Sequence, residues 1–107
     1  MSLDISLNKV METEIFSANI THRLNRMAEE AGFYEAVWRP EENGIENAEQ
    51  LIPILEAGID RMLADPERYK KHDAPNGWGT YEQFIPWLRK LLSACKENPD
   101  ATVRASR

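Results

Sequence analysis

The stretch "TYEQFIPWLRKLLSACKENP", residues 80–99, carries a complete set of helix signals. Thr80 and Gln83 form a capping-box pattern, in which each side chain accepts a hydrogen bond from the backbone N–H of the other residue. The apolar face that follows is Phe84, Leu88, Leu91, Leu92 and Cys95. This spacing is typical of an amphipathic helix, and Asn98-Pro99 predicts its end.

A second helix with the same start signal is predicted upstream. "NAEQ", residues 47–50, is a capping box. The apolar residues after it are Leu51, Leu55, Ile59, Met62 and Leu63. Gly58 lowers the helix propensity by about 1 kcal/mol relative to alanine, so we expect it to lie close against a neighbouring element.

A third helix is predicted within "SANITHRLNRMAEEAG", residues 17–32. One helical stripe would contain Ile20, Leu24, Met27, Ala28 and Ala31. Ser17 or Asn19 would cap its start, and Gly32 would end it in the left-handed conformation. Shorter helical turns are predicted in "FYEAVWRP" (33–40) and "ADPERYKK" (64–71).

The remaining regular structure is predicted to be a small sheet. "VMETEIF", residues 10–16, alternates apolar and charged side chains, as a strand with one solvated face does. "ATVRAS", residues 101–106, has strand character and is expected to pair with residues 10–16. The sequence therefore predicts a mainly α fold of the α+β class. It would have about three principal helices, short helical turns and a two-stranded sheet joining the terminal segments, all in one domain over residues 1–107.

The charge balance argues against nucleic acid as a partner. Thirteen basic and eighteen acidic residues give a net charge of -5, which repels phosphate backbones. The local basic cluster Arg68, Lys70 and Lys71 is interpreted as a solvated face. An apolar content of 42% indicates a globular chain rather than a disordered one.

Membrane insertion and disulfide chemistry are not expected. The chain has no apolar run near the ~20 residues that span a bilayer, so we expect a cytoplasmic protein with no membrane partner. Cys95 is the single cysteine, which excludes an internal disulfide. Its place on an apolar helical stripe indicates a packing residue.

No catalytic or cofactor motif is present. The sequence lacks a nucleotide-binding glycine fingerprint, a serine-nucleophile elbow and paired cysteines, so neither a cofactor nor a metal is expected. His22 is the candidate for acid–base catalysis, with Asn19 and Thr21 as polar neighbours. The alternative is that His22 is an exposed or capping histidine.

"WRPEE", residues 38–42, combines a ring, a cation and two carboxylates at a break in the chain. Arg39 could clamp a phosphate or carboxylate with two hydrogen bonds. Glu41 and Glu42 could act as acid and base. Equally, Arg39 could pair with one of these carboxylates while Trp38 packs in the core.

"NGWG", residues 76–79, places Trp78 between two glycines just before the last helix. One interpretation is a hydrophobic staple that folds over the helix start. The other is the wall of a site, with Asn76 beside it and Trp78 turned toward His22 and Arg39.

Three segments together carry a family resemblance: "SANITHRLNRMAEEAGFYEAVWRPEE", "NGWGTYEQFIPWLRKLLSACKENPDA" and the final "SR". From about Ser17 to Arg107 the chain resembles a family of small bacterial and phage-encoded proteins to which no activity is attached. The resemblance implies site positions at 19–22, 38–42 and 76–79. This chain departs from the typical "NITHN" pattern at Arg23, where asparagine is expected.

The sequence favours a non-enzymatic binding or accessory protein of phage or bacterial origin, with a homodimer left open. Its polar and aromatic loops would contact a protein or a small molecule, because tryptophan and arginine are common binding anchors. The alternative is a small enzyme or nucleotide-handling protein with His22 as acid or base and Arg39 as anion clamp. That alternative requires the three segments to meet in one cleft.

Overall fold

The computed structural model describes residues 2–9 and 13–107 and shows an α+β fold. Its elements are β1 (Ser2–Lys9), β2 (Thr13–Thr21), α1 (Asn25–Ala31), α2 (Tyr34–Trp38), α3 (Ala48–Ala64), α4 (Pro66–Lys70), α5 (Tyr81–Glu97) and β3 (Thr102–Ser106). Short 3-10 turns occupy His22–Leu24 and Pro40–Glu42. The predicted fold class is confirmed, but the sheet has three strands rather than two.

The central strand of the sheet is β1, which sequence analysis overlooked. The order is β2-β1-β3 with both pairings antiparallel. Leu3, Ile5 and Leu7 are fully buried and alternate with polar residues. This period of two is the signal that could have identified the strand.

The predicted partner of the C-terminal strand was wrong. β3 pairs with β1, with Ile5 opposite Ala105 and Leu7 opposite Val103, and not with β2. Residues 13–16 of the predicted strand are indeed extended, as the start of β2, whereas residues 10–12 lie outside the described part. β1 occupies the central position. Its alternating apolar side chains cover the helices, and its two edges are hydrogen-bonded to β2 and β3.

Residues 17–21 belong to β2, so the helix predicted there begins too early. Ile20 fits a period of two with Ala18 as well as the predicted helical stripe, and pairing with β1 decides between them. Neither Ser17 nor Asn19 caps a helix. Thr21 does so for the 3-10 turn, since its Oγ1 accepts a hydrogen bond from the Arg23 backbone N–H at 3.3 Å.

The two long helices follow the sequence signals. Capping boxes are present at Asn47/Gln50 for α3 and at Thr80/Gln83 for α5, which confirms both predicted starts. α3 packs mainly against α5, and their facing apolar residues are buried, although Leu63 is 43% exposed. The shorter helices α1, α2 and α4 pack against α3.

At Gly58, α3 lies close against another part of the core. A Cβ at this buried position would lie 2.9 Å from Cε2 of Phe33 and even closer to Cδ2 of the same ring. Phe33 in turn packs on Phe84 of α5, with ring centroids 5.7 Å apart. The close neighbour expected from the sequence is therefore the Phe33 ring.

The single cysteine lies inside the same core. Cys95 is fully buried, and burial raises the pKa of its thiol to about 11. A thiol with so high a pKa carries almost no thiolate at neutral pH. The prediction of a packing role is confirmed.

No helix in residues 2–9 and 13–107 combines the length and apolar character needed to cross a membrane.

Candidate functional site

The three segments singled out from the sequence meet around the 3-10 turn His22–Leu24. From one side, Trp38 Nε1 donates a hydrogen bond to His22 Nδ1 at 2.9 Å. From the other, the backbone at Gly79 is so close that a Cβ there would lie 3.1 Å from Thr21 Cγ2. The segments are therefore neighbours in space, although they are far apart along the chain.

His22 and Trp38 form a structural pair. Trp38 is fully buried, stacks on Tyr34 with centroids 5.4 Å apart and meets Phe84 edge-on at 6.3 Å. The lone pair of His22 Nδ1 is used to accept the indole N–H. The interpretation of Trp38 as a core residue is confirmed, and His22 orients it rather than presenting that nitrogen to a substrate.

The charged groups of "WRPEE" are bound to one another and to Arg107. Arg39 Nη1 lies 2.9 Å from Glu42 Oε2. Arg107 Nη1 donates to Glu41 Oε1 at 2.6 Å and to the carbonyl oxygen of Trp38 at 3.1 Å. The hydrogen bond from Arg107 holds the pKa of Glu41 below its usual range, which disfavours a general acid at that position.

Asn19 is held on the sheet, where its amide donates to Asp4 Oδ1 at 2.6 Å and to Ser2 Oγ at 3.0 Å. Its carbonyl oxygen accepts the indole N–H of Trp87 at 3.0 Å. This contact covers part of the outer edge of β2. The role of Asn19 in the structure is to tie the sheet to α5.

The loop at residues 76–79 is fixed by hydrogen bonds on both sides. Asn76 Oδ1 accepts from the Trp78 backbone N–H at 3.0 Å. Gln83 Nε2 donates to the Gly77 carbonyl oxygen at 2.9 Å, and Gln83 Oε1 accepts from the Gly79 N–H at 3.0 Å. Gly77 and Gly79 have φ angles of 80° and 104°, which only glycine adopts without strain.

This rigid loop presents its tryptophan to solvent. Trp78 is 72% exposed, so the interpretation as a staple folded onto the core is wrong. Among the described residues, Leu63 at 43% is the other large hydrophobic side chain that is exposed. The Gln83 amide is bonded to the backbone of the loop, and most of the indole is open to solvent.

A charged cluster that was not predicted from the sequence surrounds Glu30 of α1. Glu30 Oε1 lies 3.1 Å from His72 Nε2, and Glu30 Oε2 lies 2.6 Å from Arg68 Nε and 3.6 Å from Lys71 Nζ. The hydrogen bond from His72, followed by that from Arg68, lowers the pKa of Glu30 to about 2. Nothing local in the sequence indicates this cluster, since about 40 residues separate Glu30 from its partners.

The basic residues in and directly after α4 are therefore more than a solvated face. Arg68 and Lys71 keep 57% and 59% of their side chains exposed, yet both contact Glu30. Asp73, next to the cluster, accepts from the Tyr81 backbone N–H at 2.7 Å. These contacts tie α1 to α4 and to the start of α5.

A cleft of about 540 Å³ opens beside the cluster. Its walls are Asn25, Arg26, Glu29, Glu30 and His72. Within the described part of the chain, no three His, Cys, Asp or Glu side chains are placed to hold a metal ion. Instead, the walls carry side chains of both charges, and the carboxylate of Glu30 already has three partners.

We expect the Glu30 contacts to stabilise the fold above pH 4.5 and to be lost in acid. The folded-state pKa is lowered from 4.5 to about 2, so the stabilisation is present above 4.5 and disappears as the pH falls toward 2. Unfolding free energies of the wild type and of Glu30→Gln should therefore differ at pH 6 and converge near pH 2, to be measured by urea unfolding at each pH. Glu29→Gln is the control, because Glu29 is exposed and makes no ion pair with the described residues. A difference between wild type and Glu30→Gln that is independent of pH would contradict this linkage.

A comparison with protein-family models found no match, and comparisons with curated proteins and with solved structures found none either.

Proposed function

We propose that this protein is a small non-enzymatic binding module that contacts a partner protein through Trp78. The observation that carries the proposal is the 72% exposure of this indole on a loop held by hydrogen bonds on both sides. Tryptophan is enriched among the residues that dominate binding energies.

The rigidity of the loop favours binding. The Asn76 and Gln83 side chains already hold the backbone of residues 76–79, so little further conformational entropy is lost when a partner docks. Aromatic side chains bury about 150–250 Å² each, which makes the indole a strong anchor. A flexible loop would bind more weakly, because part of the binding free energy would offset the entropy lost when the loop becomes ordered.

Arg23 extends the proposed contact surface beside the loop. A Cβ at Gly79 would lie 3.2 Å from the Arg23 Cβ, which places this exposed arginine next to the tryptophan loop. Arginine is, with tryptophan and tyrosine, among the residue types enriched at binding hot spots. Arg23 is also where the chain departs from the "NITHN" pattern, so the resemblance predicts a partner preference that differs between this chain and the family.

We expect Trp78→Ala to weaken partner binding by about 2 kcal/mol or more, roughly a 30-fold change in Kd. The wild type and the variant would be used as bait in extracts of the source cells, and captured proteins would be quantified by mass spectrometry. Leu63→Ala is the matched control, because it removes the other large hydrophobic side chain that is exposed in the described part of the chain.

A partner that depends on Trp78 and not on Leu63 would support the proposal. Sedimentation of the purified chain shows whether that partner is a second copy, since a Trp78-dependent homodimer would dissociate in the variant. Equal capture by the wild type and Trp78→Ala, with both folded, would refute the role of the loop. The cytoplasmic location expected from the sequence belongs to the same proposal and fits the choice of cell extract.

The alternative of an enzyme or nucleotide-handling protein based on His22 and Arg39 has less support. His22 Nδ1 accepts from Trp38, and Arg39 is paired with Glu42. In acting on a ligand, His22 could use only its other ring nitrogen, and Arg39 would share its guanidinium with Glu42. Their contacts within the fold therefore favour the binding module.

A further inference from the structure

We propose that two copies of this chain associate through the side of the molecule where the outer edge of β2 meets α5. This inference is independent of the Trp78 loop. It rests on a groove of about 330 Å³ between the two elements, on an open strand edge beside it, and on charges that can pair only between copies. The groove is lined by Phe16 of β2 and by Arg89, Lys90, Ser93, Ala94 and Glu97 of α5.

The outer edge of β2 is open near its middle. β2 is an edge strand, and its nine residues contain neither the proline nor the lysine that often protect such edges from pairing with another chain. The carbonyl oxygen of Asn19 points outward, since it accepts the indole N–H of Trp87. Ser17 lies two residues away, so its backbone N–H and C=O also face away from β1. Neither group has a partner in the described part of the chain.

The face of α5 beside this edge carries charges that cannot pair within one chain. Arg89, Lys90 and Glu97 are exposed and make no ion pair with the described residues. Eight positions of helix separate Arg89 from Glu97, a rise of about 12 Å, which is too long for a direct contact. A second α5 that runs in the opposite direction brings Glu97 of one copy beside Arg89 and Lys90 of the other.

The centre of this helix face and the open part of the strand edge lie at the same level. Trp87 contacts Asn19. Ser93 lies six residues further along α5, a rise of about 9 Å, which equals about three residues of a strand. That distance leads from Asn19 to Phe16, and Phe16 and Ser93 do line the same groove.

A single twofold axis at this level therefore satisfies both elements. Ser17 of each copy would exchange two backbone hydrogen bonds with Ser17 of the other, as antiparallel strands do. Ser93 would meet its own equivalent, and a residue as small as serine or alanine lets two helices come close. Arg89 and Glu97 are each four residues from Ser93, so the axis places them opposite each other twice.

The charge of the groove favours a second copy as its occupant. Arg89 and Lys90 outweigh Glu97 there, although the whole chain has a net charge of -5. The carboxylate that these cations require is supplied by the same face of a second copy, so the surface is complementary to itself. A bulge in β2, opposite Leu7 and Asn8, limits regular strand pairing to residues 16–21. The contact between the two α5 helices would therefore contribute most of the affinity.

This dimer would leave both Trp78 loops accessible. The start of α5 at Thr80 lies 13 residues before Ser93, about 20 Å along the helix, and the antiparallel arrangement directs the two starts away from each other. The loops would then be presented at opposite ends of the pair. A partner with two binding sites would gain avidity from a dimer that a monomer cannot provide.

Sedimentation equilibrium of the full chain over a wide range of concentration tests the proposal. The wild type should form a dimer. Arg89→Glu and Glu97→Arg should each weaken it by about tenfold or more, because like charges then face each other twice. The double variant Arg89→Glu/Glu97→Arg should recover part of this loss, because the pairs form again with reversed sign while Lys90 keeps its charge.

Arg26→Glu is the matched control, since it makes the same change of charge at an exposed position of α1, outside the groove. It should leave the dimer unchanged, and so should Trp78→Ala. Hydrogen exchange of the Ser17 amide, followed by NMR, should be slower at high protein concentration than at low concentration. Melting curves confirm that each variant is folded.

Three results would overturn the proposal. The first is a chain that stays monomeric, including one that instead binds a glutamate-rich peptide through Arg89. The second is an equal weakening of the dimer by Arg89→Glu and Arg26→Glu, which would show general charge repulsion. The third is a dimer that depends on Trp78 and not on Arg89, because the copies would then join through the loop.

Discussion

Trp38→Ala is expected to lower the free energy of unfolding by about 3–5 kcal/mol, a large share of what holds a small domain together. Trp38 is fully buried and contacts Tyr34, Phe84 and His22. Removing it leaves a cavity among three elements and deletes the hydrogen bond that anchors the His22 turn. Urea unfolding followed by circular dichroism measures this loss.

Two further variants separate the contribution of the Trp38 hydrogen bond from that of its buried ring. Trp38→Phe keeps an aromatic ring but loses the N–H, and since His22 is only half-buried, water can replace that donor. We expect the lost hydrogen bond to contribute about 1 kcal/mol, with a further loss from the smaller ring. Trp78→Ala, the same residue type at an exposed position, should change stability by less than about 0.5 kcal/mol. Similar losses for Trp38→Ala and Trp78→Ala would contradict the assignment of one to the core and the other to the surface.

The second large effect is expected at Gly58. In a solvent-exposed helix, glycine to alanine stabilises by about 1 kcal/mol, but here the added methyl would overlap the Phe33 ring. Overpacking of a tight core costs about 1–3 kcal/mol, so Gly58→Ala should destabilise despite its better helix propensity. The melting temperature and the urea midpoint both report this loss.

A double-mutant cycle with Phe33→Leu tests the cause. The cost of Gly58→Ala should shrink or change sign when the ring is replaced, because leucine lacks the Cε2 atom and its flexible end can turn away from the added methyl group. Ser93→Ala, at an exposed position of α5, is the propensity control and should be neutral or slightly stabilising. A destabilisation that is the same in both backgrounds would show that the Phe33 contact is not its origin.

Much of the helical structure was predictable because the sequence signals for it are local. Capping boxes join residues three apart, and the apolar stripes repeat at helical spacing, so the starts of α3 and α5 were found from the sequence. β1 was predictable in principle from its alternation and was overlooked. Residues 17–21 were assigned to a helix because Ile20 fits both periods, and the choice depends on pairing with a strand that had not been recognised.

The candidate site was likewise predictable from the sequence only in part. The positions that the sequence indicated do meet in space, but Arg39, Glu41 and Glu42 are ion-pair partners within the fold, and Arg107 reaches them from the end of the chain. The groups that line the 540 Å³ cleft were not recognised as a set. Glu30 and His72 become partners only when α4 is folded against α1.

The sequence by itself determined the α+β class, the two capped long helices and the tight glycine turn before α5, since each depends on residues a few positions apart. Tertiary structure decided the strand order, the outward direction of Trp78 and the Glu30 cluster. The physical reason is that burial, strand pairing and ion pairing depend on groups brought together across tens of residues. Local propensity carries no information about those distances.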